Sequence, residues 1–245
     1  MIEFQHVSRS YGRKLAVDGL DLVVPSGELF AFLGPNGAGK TTTIKMLVGL
    51  LRPGAGTIRV CGYDVVSESR QANQRLGFVP DEPYLYDKLS GREFLQFVSG
   101  MYGIATRTAA DRIAREIARF ELADFVDELT ESYSHGMKQR VVFASAMLHD
   151  PEVLVLDEPT VGLDPRSVRL VKNMLREKAA AGTTIFMSTH SLGIAEEIAD
   201  RIGIVNHGRL RCVGTLDELR RQHLLDKSNL EQLFLEVTAN QNEAV

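Results

Sequence analysis

The stretch Glu28-Leu29-Phe30-Ala31-Phe32-Leu33-Gly34-Pro35-Asn36-Gly37-Ala38-Gly39-Lys40-Thr41 decides the fold. Its first half is a short, mostly apolar run bounded by glycine on both sides, the pattern of a strand buried on both faces. Its second half, Gly34 to Thr41, matches G-x-x-x-x-G-K-[ST]. The glycines let the backbone wrap closely round phosphate oxygens with its N–H groups turned inward. From Thr41 the spacing becomes helical, with Ile44, Leu47, Val48 and Leu51 on one side, and Arg52-Pro53-Gly54 ends the helix. A helix opening near Gly39 offers the partial positive charge of its N-terminus to a bound anion. Strand, loop and helix together predict a nucleotide site: Lys40 reaches the β- and γ-phosphates and the Thr41 hydroxyl binds Mg²⁺.

Upstream of the loop, apolar residues cluster around Gly19 and Pro25-Ser26-Gly27, which predicts three strands joined by turns over residues 1–33. Downstream, Thr57-Ile58-Arg59-Val60 and Gly77-Phe78-Val79 carry strand signals. Residues from about 87 to 132 are rich in Ala, Glu, Arg and Leu and predict two or three amphipathic helices. Residues 150–206 then alternate strand and helix: Val153–Leu156, Arg166–Ala180, Thr183–Ser188, Leu192–Ala199, Ile202–Val205. That alternation argues a parallel sheet. Residues 226–245 become polar and predict a frayed tail or extension. The expected architecture is α/β: a P-loop core with a mixed, mainly parallel sheet, an N-terminal antiparallel β subdomain and an inserted α-helical subdomain, all within one domain over residues 1–225.

The second half of the core supplies acids. Val153-Leu154-Val155-Leu156-Asp157-Glu158 is an apolar strand ending in two carboxylates. Alone, such a pair is a solvated strand exit; beside a phosphate cradle it gains a role. Asp157 is placed to join Thr41 at Mg²⁺. Successive strand residues point opposite ways, so Glu158 is free to orient or deprotonate an attacking water. His190 follows the apolar strand Thr183 to Thr189 and so sits at the carboxyl end of a sheet strand, where α/β sheets bind ligands. An imidazole there can contact the γ-phosphate or the water. Glu158, His190 and Lys40 are the candidate catalytic residues.

Composition excludes several classes. Lys and Arg number 28 against 32 Asp and Glu, a net charge of −4, with no basic stripe of the kind nucleic acid requires. No apolar run is long enough to cross a bilayer, and residues 1–5 lack the basic and apolar regions of a signal peptide. A cytoplasmic location follows. Cys61 and Cys212 are far apart, without metal-ligand spacing, and read as packing residues.

These pieces, in this order, resemble the ATP-binding subunit of ABC transporters over about residues 1–220. The most specific stretch is Tyr133-Ser134-His135-Gly136-Met137-Lys138-Gln139-Arg140, which looks like the family signature, usually Leu-Ser-Gly-Gly-Gln followed by Gln-Arg. Read without the family, it is a Ser N-cap opening a helix. The resemblance implies ATP as the nucleotide, held by Gly34, Pro35, Asn36, Gly37, Ala38, Gly39, Lys40, Thr41 and Thr42, with Mg²⁺ as cofactor. Tyr11 stands where the family stacks an aromatic ring on adenine, against the plain reading of a turn tyrosine. Ser134, His135, Gly136 and Met137 would clasp the γ-phosphate bound to the opposite subunit, and Asp164 in Gly162-Leu163-Asp164 would cross the dimer interface. Arg92 to Asp127 would be the family's helical subdomain. Two stretches depart from the pattern. Where the family usually has the Gln that touches Mg²⁺ and senses the membrane subunit, Pro80 is followed by Asp81 and then Glu82; Asp81 is the candidate replacement and Glu82 the alternative, and a carboxylate retains metal affinity and adds negative charge. His135 and Met137 replace Gly and Gln.

The implied partners are a second copy, or a similar ATP-binding subunit, in a head-to-tail dimer, and a separate transmembrane permease that places the chain on the cytoplasmic face of the membrane. The style of the signature resembles export-type systems. The alternatives are an importer subunit or a non-transport ABC ATPase, although the insert is too short for a repair-type coiled coil. A switch GTPase would carry Asn-Lys-x-Asp, which is missing.

Overall fold

The computed structural model describes residues 1–222 and 230–239. In chain order the N-terminal elements are β1 (Ile2–Tyr11), β2 (Lys14–Val24), β3 (Leu29–Leu33), α1 (Lys40–Leu47), β4 (Ala55–Val60), β5 (Tyr63–Asp64), α2 (Ser69–Asn73) and β6 (Leu76–Val79). The insert follows as α3 (Gly91–Met101) and α4 (Thr106–Arg119), and a short 3₁₀ turn, Thr130–Ser132, leads into α5 (His135–Met147). The rest is β7 (Val153–Asp157), α6 (Pro165–Ala180), β8 (Thr184–Thr189), α7 (Leu192–Ile198), β9 (Arg201–Asn206), β10 (Arg209–Gly214), α8 (Leu216–Gln222) and α9 (Leu230–Ala239).

All five residues of β3 are buried, as its unbroken apolar run requires. It lies inside a six-stranded sheet of order β10-β9-β3-β8-β7-β6, parallel except for β10 against β9. Alternation divides β3 between two cores. Leu29, Ala31 and Leu33 join the layer built by α5, α6, α7 and the insert. Phe30 and Phe32 point the other way, towards α1 and a four-stranded antiparallel sheet of order β2-β1-β4-β5. On that side Phe186 of β8 meets Phe32, Phe30 and Phe4 with ring centroids 5.3, 5.7 and 6.0 Å apart. The carboxyl ends of β3, β7 and β8 all open at one edge, because the three strands are parallel neighbours or next neighbours.

The insert is held by local chemistry. Ser90 caps α3 through a reciprocal pair with Glu93: the Glu93 N–H donates to Ser90 Oγ at 3.2 Å, and the Ser90 N–H donates to Glu93 Oε2 at 2.8 Å. Arg92 grips Asp127 with two hydrogen bonds of 2.6 and 3.0 Å.

Two expectations need correction. No turn lies at Gly19: β2 runs through it, and the turn falls at residues 12–13. Gly19 is a bulge with φ +58°, its N–H bonded to Ser8 Oγ at 2.8 Å. Helix α1 ends at Leu47 rather than near Leu51, since the chain turns left-handed at Gly49 (φ +75°). Of the frayed tail or extension expected from residue 226, Leu230–Ala239 form α9, whose Leu230 and Leu233 are buried against the main core. The Leu230 N–H donates to Glu196 Oε1 at 2.6 Å, and Asn206 Nδ2 donates to the Thr238 carbonyl at 3.1 Å. Residues 226–229 and 240–245 lie outside the described residues. Both cysteines are partly buried free thiols, and burial pushes Cys212 up to about 11.

Candidate functional site

The loop between β3 and α1 is built on steric necessity. A side chain at Gly34 would stand 2.4 Å from the Val205 carbonyl oxygen. One at Gly39 would stand 2.4 Å from the Ala16 carbonyl oxygen, and Gly39 also adopts φ +107°, closed to ordinary residues. Gly39 is the N-cap of α1 and makes no side-chain cap, so the free N–H groups of the first turn face the loop. Lys40 is buried, and its Nζ donates to the Gly34 carbonyl at 2.6 Å and to Pro35 at 3.4 Å.

A cleft of about 300 Å³ opens over this loop. Pro35, Asn36, Gly37, Gly39, Lys40, Thr41 and Thr42 form one wall. Tyr11, Lys14 and Ala16 form a second, and Asp81 and Glu158 a third. Tyr11 is exposed, with the Arg9 guanidinium 5.5 Å from its ring centre. Gly34 and Ala38 are buried below the loop and do not line the cleft. Lys14 and Ala16 escaped the sequence reading; they reach the cleft because β2 runs beside the loop, and nothing local marks them.

The acids occupy distinct positions. Asp157 ends β7 and is 4 % exposed, with Ser188 Oγ, its register partner on β8, donating to its Oδ1. Glu158 leaves the strand with φ +48° and turns towards the loop. Its Oε1 lies 3.9 Å from Lys40 Nζ, and its Oε2 lies 2.8 Å from His190 Nδ1 and accepts from the His190 N–H at 3.2 Å. The Glu158 N–H in turn is shared between the Ser188 carbonyl at 3.2 Å and Ser188 Oγ at 3.3 Å. Lysine, glutamate and histidine thus form one connected set.

Hydroxyl and carboxylate oxygens suit Mg²⁺, a hard cation bound by one or two carboxylates with phosphate and water completing its shell. Thr41 and Asp81 line the cleft, and Asp157 Oδ2 has no protein partner among the described residues. Those residues contain no cluster of three His, Cys, Asp or Glu that would form an all-protein cage, as this kind of site requires none. Glu82 lines a second cleft instead, of about 550 Å³, with Asp81, Pro83, Tyr133, His135, Lys138 and Val161. Asp81 therefore borders both clefts.

Ser134, His135, Gly136 and Met137 are outside the nucleotide cleft. Ser134 caps α5, accepting the Met137 N–H at 3.3 Å. The segment is braced from behind: the Gly91 N–H donates to Tyr133 Oη at 3.1 Å, and Oη donates to the Phe125 carbonyl at 2.8 Å. The His135 ring lies against Gly162, leaving room for no side chain there. Asp164 caps α6, accepting from Ser167 Oγ at 2.6 Å and from the N–H groups of Ser167 and Arg166 at 3.0 and 2.9 Å. These bonds, the Ser167 hydroxyl first, hold its carboxyl below the usual range. The Asp164 carboxylate therefore shapes its own loop.

A phosphate loop at the mouth of a mainly parallel sheet, facing paired acids and a histidine, defines a P-loop nucleotide-hydrolysing enzyme. The family model described as ABC transporter matches residues 17–161. The chain is 42 % identical over 219 residues to the daunorubicin/doxorubicin resistance ATP-binding protein DrrA of Streptomyces peucetius, covering 89 % of this chain and 66 % of that one. It is 44 % identical over 208 residues to the Nod factor export ATP-binding protein I of Burkholderia orbicola (strain AU 1054), covering 85 % and 68 %. Among solved structures, an ATP-binding subunit of an ABC transporter superposes with a TM-score of 0.92 at 33 % identity, covering 97 % of this chain and 99 % of that one. A bacterial ABC transporter cassette solved as a dimer shares the fold, with a TM-score of 0.81 at 22 % identity over 88 % of this chain and 99 % of that one. The chain belongs to the ABC transporter family, as an ATP-binding, ATP-hydrolysing domain. It spans about two thirds of the length of the curated relatives it matches.

Proposed function

We propose that this domain is the motor of an export-type ABC transporter, closing head to tail on a second copy or a similar ATP-binding subunit and driving a separate permease from the cytoplasmic face of the membrane. Among the described residues no helix is long and apolar enough to cross a membrane, so the permease is assigned to other segments or chains. Export follows the relatives named for drug resistance and Nod factor export.

The observation that carries the dimer is the incomplete cleft. Lys40, Thr41, Asp81 and Glu158 meet there, while Ser134 and Gly136, at the N-terminus of α5, line no part of it. A capped helix N-terminus is an anion site, and a second chain facing the cleft supplies it. Lys40, whose Nζ donates to the Gly34 carbonyl here, would turn its ammonium to the phosphates. Thr41, Asp157 and Asp81 would hold Mg²⁺, which supplies charge neutralisation between the phosphates. Glu158 takes up a proton from the attacking water. His190 fixes the glutamate by donating from Nδ1 to its Oε2, and in its doubly protonated form the second ring nitrogen also carries a hydrogen that it would donate to a γ-phosphate oxygen. ATP binds the closed dimer better than the open one; loss of the γ-phosphate contacts reopens it.

Mixed dimers test the shared site. A Cβ at Gly136 meets nothing nearer than Leu163 Cδ2 at 3.8 Å, so Gly136→Asp can place its first side-chain carbon there without a clash and brings a negative charge to the helix N-terminus. Pairing Lys40→Ala with Gly136→Asp leaves one site intact. Pairing wild type with the double variant leaves none. Nucleotide-driven closure should return in the first dimer and not in the second; equal closure in both would show that the signature does not act in trans, and closure only in the second would show that each chain uses its own signature.

A further inference from the structure

We infer that Ser188 is a positioning residue that sets both acids of the hydrolytic site through one hydroxyl. The inference rests on the reading of Asp157 and Glu158 proposed above.

Ser188 is fully buried on β8, directly opposite Asp157 in the parallel register. Its neighbours on the strand, Ile185, Phe186 and Met187, are apolar and packed in the two cores. A hydroxyl at that depth costs free energy unless it is bonded, and here it both donates and accepts. Oγ donates to Asp157 Oδ1 and accepts from the Glu158 N–H at 3.3 Å. One hydroxyl has one proton to donate and lone pairs to accept with, so the same atom meets a carboxylate and the backbone of the next residue without conflict.

The consequences differ for the two acids. Asp157 is nearly buried, and no other donor among the described residues satisfies its side chain. The serine pins Oδ1 and fixes which oxygen remains for a cation. Glu158 stands in a left-handed conformation (φ +48°) that a residue with a side chain adopts at a cost. Its N–H is held by the Ser188 carbonyl at 3.2 Å as well as by Oγ, so the turn keeps one anchor when Oγ is removed. Loss of the hydroxyl therefore strikes Asp157 first, and with it the metal, and reaches Glu158 second. Thr189 and His190 continue the same strand exit, so the serine, the aspartate, the glutamate and the histidine form a chain of contacts from the buried sheet to the cleft.

Ser188→Ala leaves a smaller side chain that fits the site, and Ser188→Thr restores the hydroxyl on a residue at home in strands. Three readouts apply to the purified chain. Binding of a fluorescent ATP analogue in EDTA reports the cradle alone. Mn²⁺ binding with a non-hydrolysable ATP analogue, followed by electron paramagnetic resonance, reports the metal. Steady-state hydrolysis at saturating Mg²⁺ reports kcat and KM. For Ser188→Ala we expect unchanged nucleotide affinity in EDTA, a Mn²⁺ half-saturation raised about tenfold, and kcat lowered at least tenfold with KM for ATP within about twofold. Ser188→Thr should return Mn²⁺ binding to within about threefold of wild type. A folded Ser188→Ala that binds Mn²⁺ and turns over as wild type does would overturn the inference. Failure of Ser188→Thr to recover while it melts with wild type would also overturn it, since the hydroxyl would then not be the cause. Glu158→Gln serves as the control: normal hydrolysis in that variant refutes the reading of the acids, whereas a silent Ser188→Ala beside an inactive Glu158→Gln refutes Ser188 alone.

Discussion

His149 should make stability fall with acid, by an amount its surroundings define. It follows α5, and its ring stacks on Tyr102, the C-cap of α3, at 3.8 Å and 7°. Its Nε2 lies 3.1 Å from the Leu76 carbonyl, so that nitrogen carries the proton, and Nδ1 is left buried with no partner. Protonation would place a charge in a poorly solvated site. Burial therefore holds the imidazole down to about 4 from an ordinary 6.5, against the upward pull of the Leu76 carbonyl and Asp150, with Arg112 pushing the same way as burial. The sign follows: below pH 6.5 the unfolded chain takes a proton that the folded chain refuses until about pH 4. Stability is lost across that window as pH falls, and little of it is lost above 6.5. At 1.36 kcal/mol per tenfold in proton affinity, the full loss is about 3 kcal/mol. His149→Phe keeps an aromatic ring against Tyr102 and cannot titrate. Its lost bond to Leu76 is a constant offset at every pH. Urea unfolding of both chains from pH 7.5 to 4.5 should show wild type losing about 2.5 kcal/mol relative to the variant. Parallel curves would refute the reasoning, and would mean that the folded site accommodates the charged ring.

Glu158→Gln keeps the shape of the carboxylate beside His190 and Lys40 but not its basicity; phosphate release should fall about a hundredfold or more while ATP binding persists. Lys40→Ala removes the buried ammonium lining the cleft, and titration with a labelled nucleotide should show affinity collapsing with the circular dichroism spectrum unchanged. Asp81→Ala should raise the Mg²⁺ concentration required for half-maximal hydrolysis. A metal titration that matches wild type would remove Asp81 from the metal, and Glu82 offers no substitute within the nucleotide cleft.

The core of the site was legible because its chemistry is carried by contiguous residues. Gly34 to Thr41 constrain the backbone by what they lack, and Asp157-Glu158 close a strand whose burial is written in its composition. What escaped depends on pairing between distant segments. Lys14 and Ala16 reach the cleft through β2, which is joined to the loop only in space. Ser188 looked like one more strand residue until the register set it against Asp157. Gly19 reads as a turn in any local window; only the bulge against Ser8 gives it another use. The signal for α9 was present, in the helical spacing of Leu230, Leu233, Phe234 and Val237, but the polar residues around it masked that stripe.

Strand β3 has a neighbour on each edge and a core on each face. Its amide protons can exchange with solvent only when both layers part, which for a buried central strand approaches global unfolding. The amides of β3 and β8 should therefore be among the slowest to exchange in the molecule. The cradle hangs directly from that strand, so the phosphate-binding backbone inherits its stillness. The residues after β6, from Asp81 to Tyr86, belong to no strand or helix and carry the exposed rings of Tyr84 and Tyr86. Their amides should exchange first. Nucleotide occupancy is thus sensed at a stationary point, and its effect should appear as protection in a segment that opens on its own.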